Sequence, residues 1–192
     1  SQVRTNRIET VPAYRGMITD RQGSPLAVTT KVESIWVNPH KTVWTRSQCH
    51  QLAAYLQTTC RALEQRVFKQ KGHFYYLKRH VSPQDAQAIR ALGIEGLSLQ
   101  TEYKRFYPEG AATAPLLGFT NIDDQGQEGL ELAYNDWLAG KVGKIRVEKD
   151  RLGHVLSDPE VLAIAQKGQT LQLALDHQLQ YIAYKALADM VQ

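Results

Sequence analysis

Five short stretches, Val28 to Val37, Phe74 to Val81, Leu97 to Phe106, Lys144 to Glu148 and Leu171 to Leu175, are β-branched or aromatic runs, and in several of them polar and apolar positions alternate. Runs of this length, rich in β-branched and aromatic residues, predict strands. Elsewhere the period lengthens to that of a helix. Leu52, Leu56, Leu63 and Val67 keep one apolar stripe after Ser47, which predicts a single helix carrying both cysteines. Ser82, Pro83 and Asp85 supply the N-cap, first position and first-turn acid of a second helix, and Gly93 ends it. Leu130, Ala133, Tyr134, Trp137 and Leu138 share one face of a third helix, closed by Gly140. A fourth runs from Asp176 through Leu179, Ile182, Ala183, Leu187 and Met190. Strands and helices do not alternate regularly, so the pattern predicts an α+β fold rather than a doubly wound α/β sheet.

The block 38–96 holds two of the helices and one strand. It is expected to form a small mixed α/β subdomain inserted into a β-rich body made by residues 1–37 and 97–175. Ser157 to Gln169 reads as a linker, because Asp158 and Pro159 break regular structure and Lys167 and Gly168 precede a new strand.

Composition narrows the class without naming a chemistry. The 192 residues are 43% hydrophobic and 22% charged, which suits a globular chain and excludes a disordered or fibrous one. The most apolar run, Ala111 to Phe119, is about nine residues long, roughly half a bilayer span. A formal charge of +4 suits an acidic partner without selecting one. The chain opens at Ser1 on a polar stretch rather than a signal sequence and reads as a segment of something longer. Cys49 and Cys60, eleven residues apart on one helix, would lie about 16 Å apart along its axis. A disulfide needs Cα atoms within about 7 Å, so two unpaired thiols on an apolar stripe are expected.

Candidate catalytic patterns are sparse. His40, His50, His73, His80, His154 and His177 lack the short spacings that put two ligands on one helix face, and no zinc site is expected. Asn121, Asp123, Gln125 and Gly126 match the first half of a calcium loop, but its twelfth position is Leu132 where a bidentate glutamate belongs, so a polar turn is expected. Lys71, Gly72, Phe74 and Tyr75 match the opening of an RNA-recognition strand, with Arg66, Lys69, Lys78 and Arg79 nearby, and the match fails at Lys78. A strand with one core face and a basic edge accounts for the same residues. No serine lies in a Gly-x-Ser-x-Gly or Ser-x-x-Lys pattern. No catalytic, metal or cofactor-binding residue is expected from these patterns.

Four stretches in order carry a resemblance: Arg15 to Gly23 with Pro25 to Ala27, Arg105 to Gly110, Leu117 to Glu131, and Lys149 to Val155. Together they resemble the non-catalytic N-terminal module of class B penicillin-binding proteins, and Thr170 to Gln180 resembles the start of the transpeptidase domain that follows it. The compact spacing from Gly118 to Glu131 resembles the septal type, penicillin-binding protein 3, more than elongation enzymes. The residues matching family motifs are Arg15, Gly16, Asp20, Arg21, Gly23, Arg105, Tyr107, Pro108, Gly110, Gly118, Phe119, Gly126, Glu128, Gly129, Glu131, Asp150 and Gly153. The glycines sit among turn residues, and Arg15, Arg21 and Arg105 with Asp20, Glu128 and Glu131 offer charge pairs that would lock distant strands together.

The resemblance implies a membrane-anchored parent on the periplasmic side of the bacterial inner membrane. Its C-terminal domain would cross-link peptidoglycan, while this module serves as an elongated pedestal that docks divisome proteins, notably the septal glycosyltransferase. The Ser-x-x-Lys, Ser-x-Asn and Lys-Thr-Gly motifs of the catalytic domain do not occur in these residues. The module is therefore expected to be no enzyme, to need no cofactor and to bind no nucleic acid. Residues 176–192 resemble the first helix of the next domain, and their apolar face is expected to fold back, swap or dimerise. The alternatives are the module of an elongation-type enzyme and a binder of nucleic acid or another anionic polymer through the basic strand. A hydrolase would require distant Asp and His residues to meet in a cleft.

Overall fold

The computed structural model describes residues 4–152 and 154–176. In chain order these form β1 (Thr5–Val11), β2 (Ile18–Thr19), β3 (Pro25–Val37), α1 (Arg46–Tyr55), α2 (Cys60–Phe68), β4 (Tyr75–Val81), α3 (Pro83–Arg90) and β5 (Leu97–Phe106). There follow α4 (Ala114–Leu117), α5 (Gly129–Ala133), α6 (Asn135–Ala139), β6 (Gly143–Lys149), β7 (Glu160–Ala163) and β8 (Leu171–Gln172). The fold is α+β, as the mixed periodicities imply. No helix among the described residues is long and apolar enough to cross a membrane. The expected helix after Asp176 lies outside the described residues.

The chain divides into two compact units. The first comprises the described residues of Ser1–Val11, Lys31–Glu102 and Lys144–Ala163, and the second those of Pro12–Thr30, Tyr103–Gly143 and Ile164–Gln192. The block 38–96 thus falls inside a larger first unit, whose limits run through β3 and β5. What enlarges it is a sheet ordered β1-β6-β7. Neither β1 nor β7 is evident in the hydrophobic pattern, and β7 occupies part of the stretch read as a linker.

In the first unit, the later half of β3 pairs antiparallel with β4, Trp36 opposite Tyr76 and Val37 opposite Tyr75. This register sends Leu77 and Val81 into a core with Ile35, Val37, Leu52, Leu63, Val67 and Ile89. Helix α1 begins with a reciprocal capping box, the Gln48 amide N–H donating to Thr45 Oγ1 and the Thr45 N–H donating to Gln48 Oε1. Ser82 caps α3 by accepting from the Asp85 N–H, and Gly93 takes a positive φ just beyond the helix.

The single helix expected across Cys49 and Cys60 is two. Gln57 adopts a left-handed φ of 55°, and Thr59 restarts the chain as the N-cap of α2 by accepting from the Ala62 N–H. The resulting hairpin brings the two Cα atoms to 5.4 Å, and Cys49 and Cys60 form a disulfide in place of the unpaired thiols expected.

In the second unit, β2 runs antiparallel to the start of β3 and parallel to β8, Ile18 facing Ala27 and Leu171. Its apolar core is small: Ile18, Leu26, Ala27, Leu117 and Leu138, flanked by Tyr107, Leu130, Leu171 and Leu173. The third expected helix breaks at Tyr134 into α5 and α6. Its supposed apolar face is divided, with Leu138 buried while Tyr134 and Trp137 are exposed. The side chain that α5 buries completely is a glutamate, Glu131.

Candidate functional site

Glu131 organises the second unit. Its Oε1 accepts from Arg15 Nε at 3.0 Å and Arg105 Nη2 at 3.1 Å, and its Oε2 accepts from Arg105 Nε and the Tyr107 hydroxyl, both at 2.8 Å. The Arg15, Arg105 and Glu131 side chains are at most 1% exposed. Such burial is tolerable only where nearly every donor finds an acceptor. Arg15 further donates to the Glu131 carbonyl, the Asp124 carbonyl and Asn135 Oδ1, and Arg105 to the Gly16 carbonyl and Thr29 Oγ1. The Thr29 hydroxyl in turn donates to the Arg15 carbonyl at 2.9 Å. Segments more than 100 residues apart in sequence are thereby joined through one carboxylate.

The electrostatics follow from this geometry. Burial alone raises a carboxyl, but for Glu131 the hydrogen bond and charge of Arg105, the charge of Arg15 and the Tyr107 hydroxyl outweigh it and hold the carboxyl below its usual range. Tyr107 is pushed well above an ordinary phenol by burial first, then by the Glu131 charge and the bond it donates. Asp124, whose Oδ1 is buried with no hydrogen-bond partner among the described residues, is raised to about 6 by burial despite the opposing charges of Arg105 and Arg15. Two buried guanidiniums thus face one firmly ionised carboxylate and one that gains its charge near neutrality.

The remaining motif residues build the frame. Asp20 is buried and accepts from the Gln22 and Ser24 N–H groups, fixing the turn into β3, with Gly23 at a positive φ inside it. Gly118 and Gly129 permit a close crossing: a Cβ on Gly118 would lie 1.9 Å from the Glu128 carbonyl oxygen, and one on Gly129 2.6 Å from the Gly118 nitrogen. A Cβ on Gly16 would meet the Gln169 carbonyl in the same way, and one on Gly126 that of Glu131. Gly110 opens a single 3-10 turn after Pro108, and Phe119 is half-exposed. Arg21 and Glu128 are exposed and make no ion pair among the described residues, unlike the locking pairs expected of them. In the first unit Asp150 organises a turn by accepting from the Leu152 and His154 N–H groups. Gly153 lies outside the described residues.

Sequence reasoning did not select Thr29, Asp124 or Asn135. Thr29 and Asn135 offered only a polar residue inside an apolar pattern, and Asp124 only its place in a polar turn. That turn is closed by Asn121, whose Oδ1 accepts from the Asp123 and Gln125 N–H groups, so the oxygen that would be first in a calcium loop is already engaged. Cys49, Cys60 and Glu64 are the one grouping among the described residues with metal-ligand spacing, and its two sulfurs are joined to each other. The Phe74 and Tyr76 face of the basic strand is aromatic packing: Phe74 stacks on Trp36 at 4.6 Å and meets Tyr76 edge-on at 4.7 Å.

Comparison with known proteins places this arrangement. The sequence matches the family described as Penicillin-binding Protein dimerisation domain over residues 10–173. It is 44% identical to the probable peptidoglycan D,D-transpeptidase PbpC of Pseudomonas aeruginosa, over 94% of this chain and 32% of that protein. It is 38% identical to the peptidoglycan D,D-transpeptidase FtsI of Escherichia coli K12, over 98% of this chain and 33% of that protein. The chain spans about a third of the length of these relatives. In fold it is similar to penicillin-binding protein PBP2 of Helicobacter pylori, solved in complex with MreC, with a TM-score of 0.65 and 22% identity over 96% of this chain and 39% of that one. Penicillin-binding protein 2X of Streptococcus thermophilus gives a TM-score of 0.64 and 22% identity over 95% of this chain and 31% of that one.

Proposed function

The chain belongs to the family of penicillin-binding protein dimerisation domains, and from that membership we propose that it is the non-catalytic periplasmic pedestal of a septal peptidoglycan D,D-transpeptidase. It positions the catalytic domain above the inner membrane and docks proteins of the division machinery, the septal glycosyltransferase first among them. One observation carries this reading. Four polar residues of the family motifs, Arg15, Arg105, Tyr107 and Glu131, converge on a hydrogen-bonded lock rather than on an open cleft with a nucleophile and a base. A lock of buried charges fixes the register of a scaffold, and a scaffold is what a docking module must supply.

Two comparisons support the finer parts. FtsI, a relative of 38% identity, is named as a peptidoglycan D,D-transpeptidase, and the short sequence spacing from Gly118 to Glu131 is what favours the septal type. The Helicobacter pylori protein of this fold was solved with a protein partner, MreC, which supports docking as the role. The test pairs two assays on this chain: labelling by a fluorescent penicillin, and binding to septal and elongation glycosyltransferases in nanodiscs. No covalent label and saturable binding to the septal enzyme alone are expected. Covalent labelling would overturn the non-catalytic assignment, and preference for the elongation enzyme would overturn the septal one.

A further inference from the structure

The first unit contains a cleft of about 410 Å³ that the lock around Glu131 does not involve. Its walls come from β1, the end of β3, and the chain at 95–98 and 149–151. They are tied together by main-chain bonds, the Gly96 N–H donating to the Arg151 carbonyl and the Asn38 N–H to the Gly96 carbonyl. Arg7 stands at one side. Its guanidinium lies 3.9 Å from the centroid of the Trp36 ring, whose other neighbour is Phe74. Arg7 is partly buried, and burial lowers its pKa while nearby Glu9 opposes the shift. Yet Arg7 makes no ion pair among the described residues, because Glu9 is taken by Lys149 Nζ at 2.5 Å.

The charges around the cleft are unevenly matched. Lys41 reaches only the Thr5 hydroxyl, at 3.5 Å, and Arg151 makes no side-chain ion pair among the described residues. Of the two carboxylates in the lining, Asp150 is engaged by the N–H groups of its own turn and by His154. That leaves Glu95 against three cations with no carboxylate partner. A partly desolvated guanidinium held over an aromatic ring is costly while unpaired and presents a planar fork of donors suited to two oxygens at once. The volume is at the lower end of the range for small ligands, which fits a small molecule or chain end better than a folded surface.

We infer that this cleft is an oxyanion-binding site, in which Arg7, with Lys41 and Arg151, receives a carboxylate or phosphate group borne by a small ligand or a chain end. The inference stands independently of the septal assignment. The test uses the whole chain and follows its tryptophan indole N–H signals by NMR during titration with three probes: inorganic phosphate, N-acetylmuramic acid, and N-acetylglucosamine, a related sugar without the carboxylate. Saturable shifts at Trp36 with at least one of the first two, and none with the third, are expected, and which of the two responds identifies the group. Arg7→Gln should weaken that binding by about tenfold or more, the worth of a charge-assisted hydrogen bond. Since Arg7 also packs on Trp36, three variants at positions outside the apolar core provide a second reading. Lys41→Gln and Arg151→Gln should each weaken binding by about two- to fivefold, and Glu95→Gln should strengthen it by a similar factor. Equal shifts with N-acetylglucosamine, no saturable shift with either anion, or indifference to all three charge changes would overturn the proposal.

Discussion

The two units of this chain solve the same problem with different chemistry. The first unit buries a broad apolar core beneath three helices and closes its α1–α2 hairpin with a disulfide. The second buries few apolar side chains and adds a carboxylate held by two arginines and a tyrosine. Apolar burial is non-directional and tolerates modest repacking, whereas a buried ionic cluster fails when one partner is removed, because the others are left without counter-charge. The second unit is therefore the one whose integrity depends on single residues, and it is there that most of the family motif residues lie.

The sharpest way to break this contrast is Glu131→Ala. It leaves two buried guanidiniums unpaired and should cost about 3–5 kcal/mol, read as a lower midpoint in urea unfolding. The matching change in the first unit, replacement of both Cys49 and Cys60 by alanine, opens a short loop and should cost about 3 kcal/mol at most. Reductant should lower the thermal midpoint of the native chain and leave that double variant unchanged.

A smaller effect is a pH dependence within the second unit, where Asp124 and Glu131 titrate with opposite sign. Asp124 has its folded pKa raised to about 6, so the unfolded chain loses this proton first. Its contribution is fully present below the unfolded value near 3.8 and is lost as pH rises through about 6. Glu131 has the opposite sign: its folded pKa is lowered, so its contribution is present above the unfolded value and lost as pH falls through the folded one. Asp124→Asn should remove the loss between pH 4 and 6, a gain at neutral pH on the order of 1–2 kcal/mol after solvent screening. Thermal unfolding of both proteins across that range measures it. The smallest effect is expected at the α1 N-cap, where Thr45→Ala should cost about 1 kcal/mol and leave the second unit untouched. Hydrogen exchange at the start of α1 reports it.

What was legible in the sequence follows the same division. The strands over Phe74 to Val81 and Leu97 to Phe106 are found within a residue, the first because Leu77 and Val81 reach the apolar core and the second because Leu97 and Leu99 anchor its start there. Helix α3 is equally plain from Ser82, Pro83 and Gly93. Strand β7 is exposed at every position and exists through its pairing with β6, so its own residues carry no period to read. Strand β1 has Ile8 half-exposed among polar neighbours and is hidden for the same reason. The α1–α2 break rests on one left-handed residue, Gln57, and with it went the disulfide. Arg15, Arg105 and Glu131 stood out as motif residues, but hydrophobic periodicity cannot identify a buried glutamate. It reads α5 and α6 as one amphipathic helix turned on Trp137, which is exposed.

Residue-resolved hydrogen exchange on the native chain and on Glu131→Ala asks whether Glu131 holds the second unit together. In the variant, protection should fall by orders of magnitude across residues 12–30, 103–143 and 164–176, while the amides of β4 and α1 to α3 keep their native rates. Unchanged protection in the second unit, or an equal loss in both, would contradict it.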